Sequence, residues 1–130
     1  MDGHHYWEIV ADARTEHELK VGVTTQQRFN LNTAFCDNEF GFGFYGTGQL
    51  RHGSTSQGKE YGVHFKKKGI LGCYLDMDNG TLSFLIDGID YGVAFQHKSL
   101  TRGPVWPAVS LLHKGGLTLI SGIKKQAHQQ

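Results

Sequence analysis

An all-β sandwich is the fold class that this sequence predicts, and three observations predict it. Residues Gly69 to Phe95, GILGCYLDMDNGTLSFLIDGIDYGVAF, alternate apolar with small or polar side chains and break at Asp78-Asn79-Gly80 and again at Asp87-Gly88. A period of two marks half-buried strands, and Asp-Gly accepts the positive φ angles of a type I′ turn, so the stretch reads as a three-stranded meander. The chain also holds 18 glycines against 2 prolines, which suits many short strands and tight turns better than helices. Finally, no stretch reads as a helix, and less than about a tenth of the chain is expected to be helical.

The 130 residues, 38% hydrophobic and 12% aromatic, make one domain with a real core. Thirteen basic and twelve acidic residues leave a net charge of +1, so no long-range field draws nucleic acid or an anionic membrane. Cys36 and Cys73 lie far apart in a chain with no secretory leader and no apolar run long enough to span a bilayer, which points to a reduced, intracellular setting, cytoplasmic or nuclear. Cys73 is on the apolar face of its strand and reads as a small buried hydrophobe, whereas Cys36 falls in a polar loop open to solvent. The triplet Asn79-Gly80-Thr81 fits a glycosylation sequon but is spent on the hairpin turn.

His4 to Ala11 alternates aromatic and β-branched residues with polar ones and is a strand. Leu19 to Thr24 is the next, and the two are expected to pair as a hairpin across the polar loop Asp12 to His17. Thr25 to Glu39 is a long polar loop with only Phe29, Leu31 and Phe35 to pack inward, and long ordered loops tend to carry function. Phe40-Gly41-Phe42-Gly43-Phe44-Tyr45 resumes strand character, its glycines admitting a close backbone or ring. Gln49 to His52 is a short strand or turn exit, Gly53 to Gly58 a loop, and Lys66-Lys67-Lys68 a solvated turn. In the meander, Tyr91, Val93 and Phe95 continue the alternation. Gln96 to Gly103 is a polar connection; Val105 to Leu112 and Leu117 to Ile120 are the last strands, for eight or nine in all, before a polar tail at 123–130. Trp7, Phe84 and Val109 are expected in the core.

Sharper motifs fail on context. Gly41-x-Gly43-x-x-Gly46 matches the dinucleotide fingerprint, but that motif needs a helix after it, and nothing after Gly46 is helical. Asp76-x-Asp78-x-Gly80 resembles the start of a calcium loop, yet its glycine comes one residue early and position twelve is Asp87, so it reads as a hairpin turn. The eight histidines show no ligand spacing apart from His4-His5 at a flexible end, and no nucleophile stands in a triad arrangement. The expectation is a non-enzyme with no catalytic residue, no metal and no cofactor.

Together His5-Tyr6-Trp7-Glu8-Ile9, Val21-Gly22-Val23, Leu71 to Asp76, Thr81-Leu82-Ser83-Phe84, Asp87-Gly88, Gly92-Val93-Ala94-Phe95 and Val105-Trp106-Pro107-Ala108-Val109-Ser110-Leu111 resemble, in order and spacing, the SPRY (B30.2) domain family over residues 4–122. Gly41 to Gly48 is in addition similar to the SPRY insert of a DEAD-box RNA helicase, although the helicase's own phosphate-binding and Asp-Glu-Ala-Asp motifs are absent here.

The resemblance implies a bent antiparallel β-sandwich, concanavalin-like in its jelly-roll form, acting as a protein-interaction module; a monomer is expected. Family members bind a short peptide or protein surface with loops at one end and recruit it to a larger assembly, often a ubiquitin ligase with its substrates. Carried over by position, those loops hold Thr25 and Gln26, Arg51 and His52, and His113 and Lys114, and Arg51 and Lys114 would favour an acidic peptide. Family domains commonly have strands before the His-Tyr-Trp-Glu motif, so this chain reads either as trimmed or as a minimal version. The second reading is an RNA-associated module, suggested by the helicase-like stretch with Arg51, His52 and Lys66 to Lys68; no membrane partner is expected.

Overall fold

Alternation along the chain becomes two packed faces. In the computed structural model, which describes residues 3–11, 19–25, 34–53, 59–63, 69–102, 104–111 and 117–120, nine strands form two antiparallel sheets. They are β1 (His4–Ala11), β2 (Leu19–Thr24), β3 (Gly41–Tyr45), β4 (Gln49–Arg51), β5 (Ile70–Asp76), β6 (Thr81–Ile86), β7 (Ile89–Gln96), β8 (Trp106–Leu111) and β9 (Leu117–Ile120). One sheet runs β7-β6-β5-β1-β9 and the other β4-β3-β2-β8. The only helical pieces among the described residues are the 3-10 turns Phe35–Asp37 and Lys98–Thr101.

Register explains the core. Trp7 lies opposite Cys73 and Cys73 opposite Phe84, so one inward row crosses three strands of the first sheet. Val21, Phe44 and Leu50 form the matching row of the second. All six are buried, and the rows meet where the Phe44 and Phe84 rings lie 5.7 Å apart. The meander is central in that β5 is the middle strand of its sheet, while β7 is an edge. Its tight turn is as expected, with positive φ at both Asp87 and Gly88.

Several expectations are corrected. β1 and β2 do not form a hairpin: β1 is flanked by β5 and β9, and β2 by β3 and β8, so neither has an edge left for the other. Val109 is 39% exposed, because it shares the inward face with its neighbour Val21 but sits on an edge strand that the opposite sheet leaves half covered. Val93 is 60% exposed, since the β6–β7 ladder skips at Leu82/Ser83 and Ser83/Leu85 and the bulges turn it to the outside, opposite Ser83. His4 and His5 belong to β1, paired with Asp76 and Leu75, and are not a flexible end.

Cys36 is buried rather than exposed. On the outer face of the second sheet, Ala108, Gly22 and Gly43 occupy one row across β8, β2 and β3. The 3-10 turn lies over it, and a Cβ on Gly43 would come within 3.0 Å of the Phe35 ring and 3.1 Å of Cys36 Sγ. The trough of small residues is what lets Phe35 and Cys36 pack flat against the sheet. Burial pushes the Cys36 thiol up to about 11 and raises that of Cys73 further, so neither is a thiolate at neutral pH.

Candidate functional site

One end of the sandwich gathers most of the candidate residues. There β2 finishes at Thr24 opposite Gly41, where β3 begins, and opposite Trp106, where β8 begins. The first sheet supplies the β5–β6 turn and the end of β7, in the row Asp76, Thr81, Gln96. The sheets are joined at this end through the Phe42 ring, 5.4 Å from Phe95 and 5.3 Å from His97.

Thr25 is tied to Phe40, whose carbonyl accepts from the Thr25 backbone N–H at 2.9 Å and from its hydroxyl at 3.3 Å. His52 is half-buried and stacked on Phe42, with ring centroids 4.0 Å apart and planes 11° from parallel. Its Nδ1 lies 2.8 Å from the Gly41 carbonyl, which can only accept, so Nδ1 carries a proton and, in the neutral tautomer, Nε2 is the acceptor. His97 has the opposite tautomer. Its Nδ1 accepts from the Ser99 N–H at 3.1 Å and faces the Ser99 hydroxyl at 2.8 Å, which puts the neutral ring's proton on Nε2. The two rings stand 5.6 Å apart, one offering an acceptor and one a donor.

Beside them is a shallow depression of about 340 Å³ lined by Thr25, Lys98, Ser99, Arg102 and Pro104. Its cations project from a fixed turn. Leu100 is fully buried beneath it, the His97 N–H is donated to the Gly80 carbonyl at 2.9 Å, and the Thr101 hydroxyl donates to the Lys98 carbonyl at 2.6 Å.

Thr25 and His52 are thus brought together. Arg51 is close in sequence but faces elsewhere: it is 8% exposed, with its guanidinium carbon 4.8 Å from the Tyr45 ring centroid. Gln26, His113 and Lys114, with Lys66 to Lys68, lie outside the described residues. The strand before His113 ends at Leu111 opposite Leu19, so the chain leaves β8 at the other end of β2 from Thr25. Lys98, Ser99 and Arg102 were not singled out by sequence, where they sit in an ordinary polar connection; two cations four residues apart beside a serine were the one available signal.

A second cluster lies at the same end. His4 Nε2 is 3.3 Å from Asp76 and 3.0 Å from Asp78, and its Nδ1 is 2.5 Å from the Tyr74 hydroxyl. Asp76 is already engaged, one oxygen accepting the Asp78 and Asn79 N–H groups and the other the Asn79 side-chain amide. Desolvation acts to raise its pKa, but these hydrogen bonds and His4 outweigh it and hold the carboxyl below its usual range. The arrangement is that of a capped hairpin turn, and the Asn79 of the sequon is part of the cap.

Comparison with known proteins gives the family and the fold. The chain is 38% identical over 110 residues to ATP-dependent RNA helicase Ddx1 of Drosophila melanogaster, an alignment covering 84% of this chain and 14% of that protein. It is 37% identical over 95 residues to ATP-dependent RNA helicase DDX1 of Xenopus laevis, covering 72% of this chain and 12% of that one. The chain therefore spans only about one eighth to one seventh of the length of these relatives. Among solved structures, the SPRY domain of human HERC1 superposes with a TM-score of 0.70 at 19% identity, over 93% of this chain and 76% of that one, which is a likeness of fold. The SPRY domain model matches residues 4–124, and on that match, with the bent pair of antiparallel sheets beneath it, the chain belongs to the SPRY domain family.

Proposed function

We propose that this domain is a non-catalytic module that binds a peptide or protein segment at the end of the sandwich carrying Thr25 and His52, and so recruits a partner to a larger intracellular protein. SPRY domains generally are protein-interaction modules. The observation that carries the choice of surface is the depression beside Thr25, where polar and cationic side chains from the end of β2 and from the turn after β7 are held by a rigid scaffold. Both cysteines are unpaired thiols, in keeping with a reducing compartment. The relatives at 37% and 38% identity are named RNA helicases, which favours an RNA-processing host over a ubiquitin ligase.

A photo-crosslinking residue placed at Thr25, or at Ile89 on the opposite end as control, tests the surface in cell lysate. Capture of protein from position 25 and not from 89 supports the reading. Crosslinking to RNA from position 25 favours the second reading, an RNA-associated module, and protein captured only from position 89 moves the site to the other end.

A further inference from the structure

We propose that the partner segment is acidic, and that its carboxylates dock in the depression between Thr25 and Pro104 on Lys98 and Arg102. The inference rests on the binding reading above and deepens it. Arg51 and Lys20 both lie over the Tyr45 ring, 4.8 and 5.0 Å from its centroid, on another face of the molecule. Lys98 and Arg102 are different: both are exposed, and neither side chain forms an ion pair or hydrogen bond among the described residues. Two cations on one short turn, with no counter-charge among the described residues, leave a local positive field that the net charge of +1 does not disclose.

Shape adds to charge. Thr25 and the exposed Pro104 complete the lining, so a chain lying in the depression meets apolar surface as well as a guanidinium suited to a bidentate carboxylate. The turn is already fixed by Leu100, His97 and Thr101, so little backbone ordering opposes binding. Nucleic acid is the poorer occupant. Single-strand recognition wants ring faces for base stacking, whereas among the described residues the depression itself is lined by no aromatic ring, and the face of His52 beside it is stacked on Phe42. Exposed ion pairs in water are individually weak, so selectivity has to come from several acting together, and it will fall as salt rises.

The test is a random dodecapeptide display library panned on the 130-residue chain and, in parallel, on the double variant Lys98→Glu/Arg102→Glu, with a fluorescein-labelled oligouridylate as the RNA probe. The expected result is enrichment of Asp and Glu in peptides selected by the parent chain. The best of these should bind the double variant about tenfold more weakly or worse in anisotropy. Binding should weaken with added salt, while the melting temperature of the variant stays that of the parent. Selected peptides that crosslink at position 25 but show no acidic enrichment, or bind the double variant equally well, overturn the acidic assignment and leave the binding module standing. Failure to select any peptide overturns both, and oligouridylate binding that the double substitution abolishes, without acidic peptide selection, transfers the surface to RNA.

Discussion

The hydroxyl of Tyr61 occupies the gap that the β-bulge opens beside Phe84. It accepts the Phe84 N–H at 3.1 Å, lies 3.2 Å from the Phe84 carbonyl and donates to the Gly92 carbonyl, so it bridges a donor on β6 and an acceptor on β7 where the ladder between them shifts register. Burial pushes the phenol up to about 12, with Asp90 adding to the shift against the Phe84 hydrogen bond. Tyr61→Phe keeps the ring and strands those backbone groups, at a cost of about 1–3 kcal/mol. Urea denaturation measures it, and a midpoint equal to the parent's would show that water replaces the hydroxyl.

Phe84 and Val109 separate core from edge. Phe84→Ala removes a fully buried ring packed on Phe44 and Tyr61 and is expected to cost about 3–5 kcal/mol. Val109→Ala, on the half-covered edge, is expected to cost less than about 1 kcal/mol. Comparable losses in denaturant would mean that β8 is covered in solution.

The glycine trough predicts an order. A Cβ on Gly22 would sit 1.9 Å from the Phe42 carbonyl, a backbone atom, whereas on Gly43 it meets side chains at 3.0 Å and beyond. Gly22→Ala should therefore cost at least the usual overpacking penalty of about 1–3 kcal/mol, and Gly43→Ala less, because the Phe35 ring and Cys36 can shift. Melting temperatures of the two variants check the order, and the reverse order would disprove the packing.

Stability should fall on the alkaline side. Cys36, Cys73, Tyr6 and Tyr61 all have raised pKa values, chiefly through desolvation, so above about pH 9 the unfolded chain loses protons that the native state retains. Their contribution is complete below that pH; that of Cys36 and Tyr61 is lost as the pH climbs through about 11 and about 12, and that of Cys73 and Tyr6, raised further, at higher pH still. Asp76 works in the opposite direction, its lowered pKa giving stability above the ordinary carboxyl value of 3.8 that disappears as the carboxyl protonates at lower pH. A melting-temperature profile flat from pH 8 to pH 11 would contradict the burial of these groups.

Chelation should change nothing. The cluster of His4, Asp76 and Asp78 is spent on the turn, with both Asp76 oxygens already accepting N–H groups. EDTA is expected to leave the melting temperature unmoved. A fall restored by a divalent ion would make the cluster a ligand set, since a metal bound only to the native state stabilises it by mass action.

Local chemistry was legible in the chain. The period-two runs located the strands, Asp87-Gly88 named its turn, and the row Trp7, Cys73, Phe84 was already alternating inward before any pairing was known. These are properties of neighbours in sequence, and a strand's two faces follow from its own residues. What tertiary structure alone decided was which edges meet. Whether β1 pairs with β2 or β5 depends on competition among ladders far apart in the chain. The exposure of Val109 and Val93 depends on where a sheet ends and where it bulges. The same holds for the site. Arg51 has the composition of a ligand-binding residue, but cross-strand pairing lays it on Tyr45, while Lys98 and Arg102, in an unremarked connection, are left facing solvent because Leu100 between them is drawn into the core.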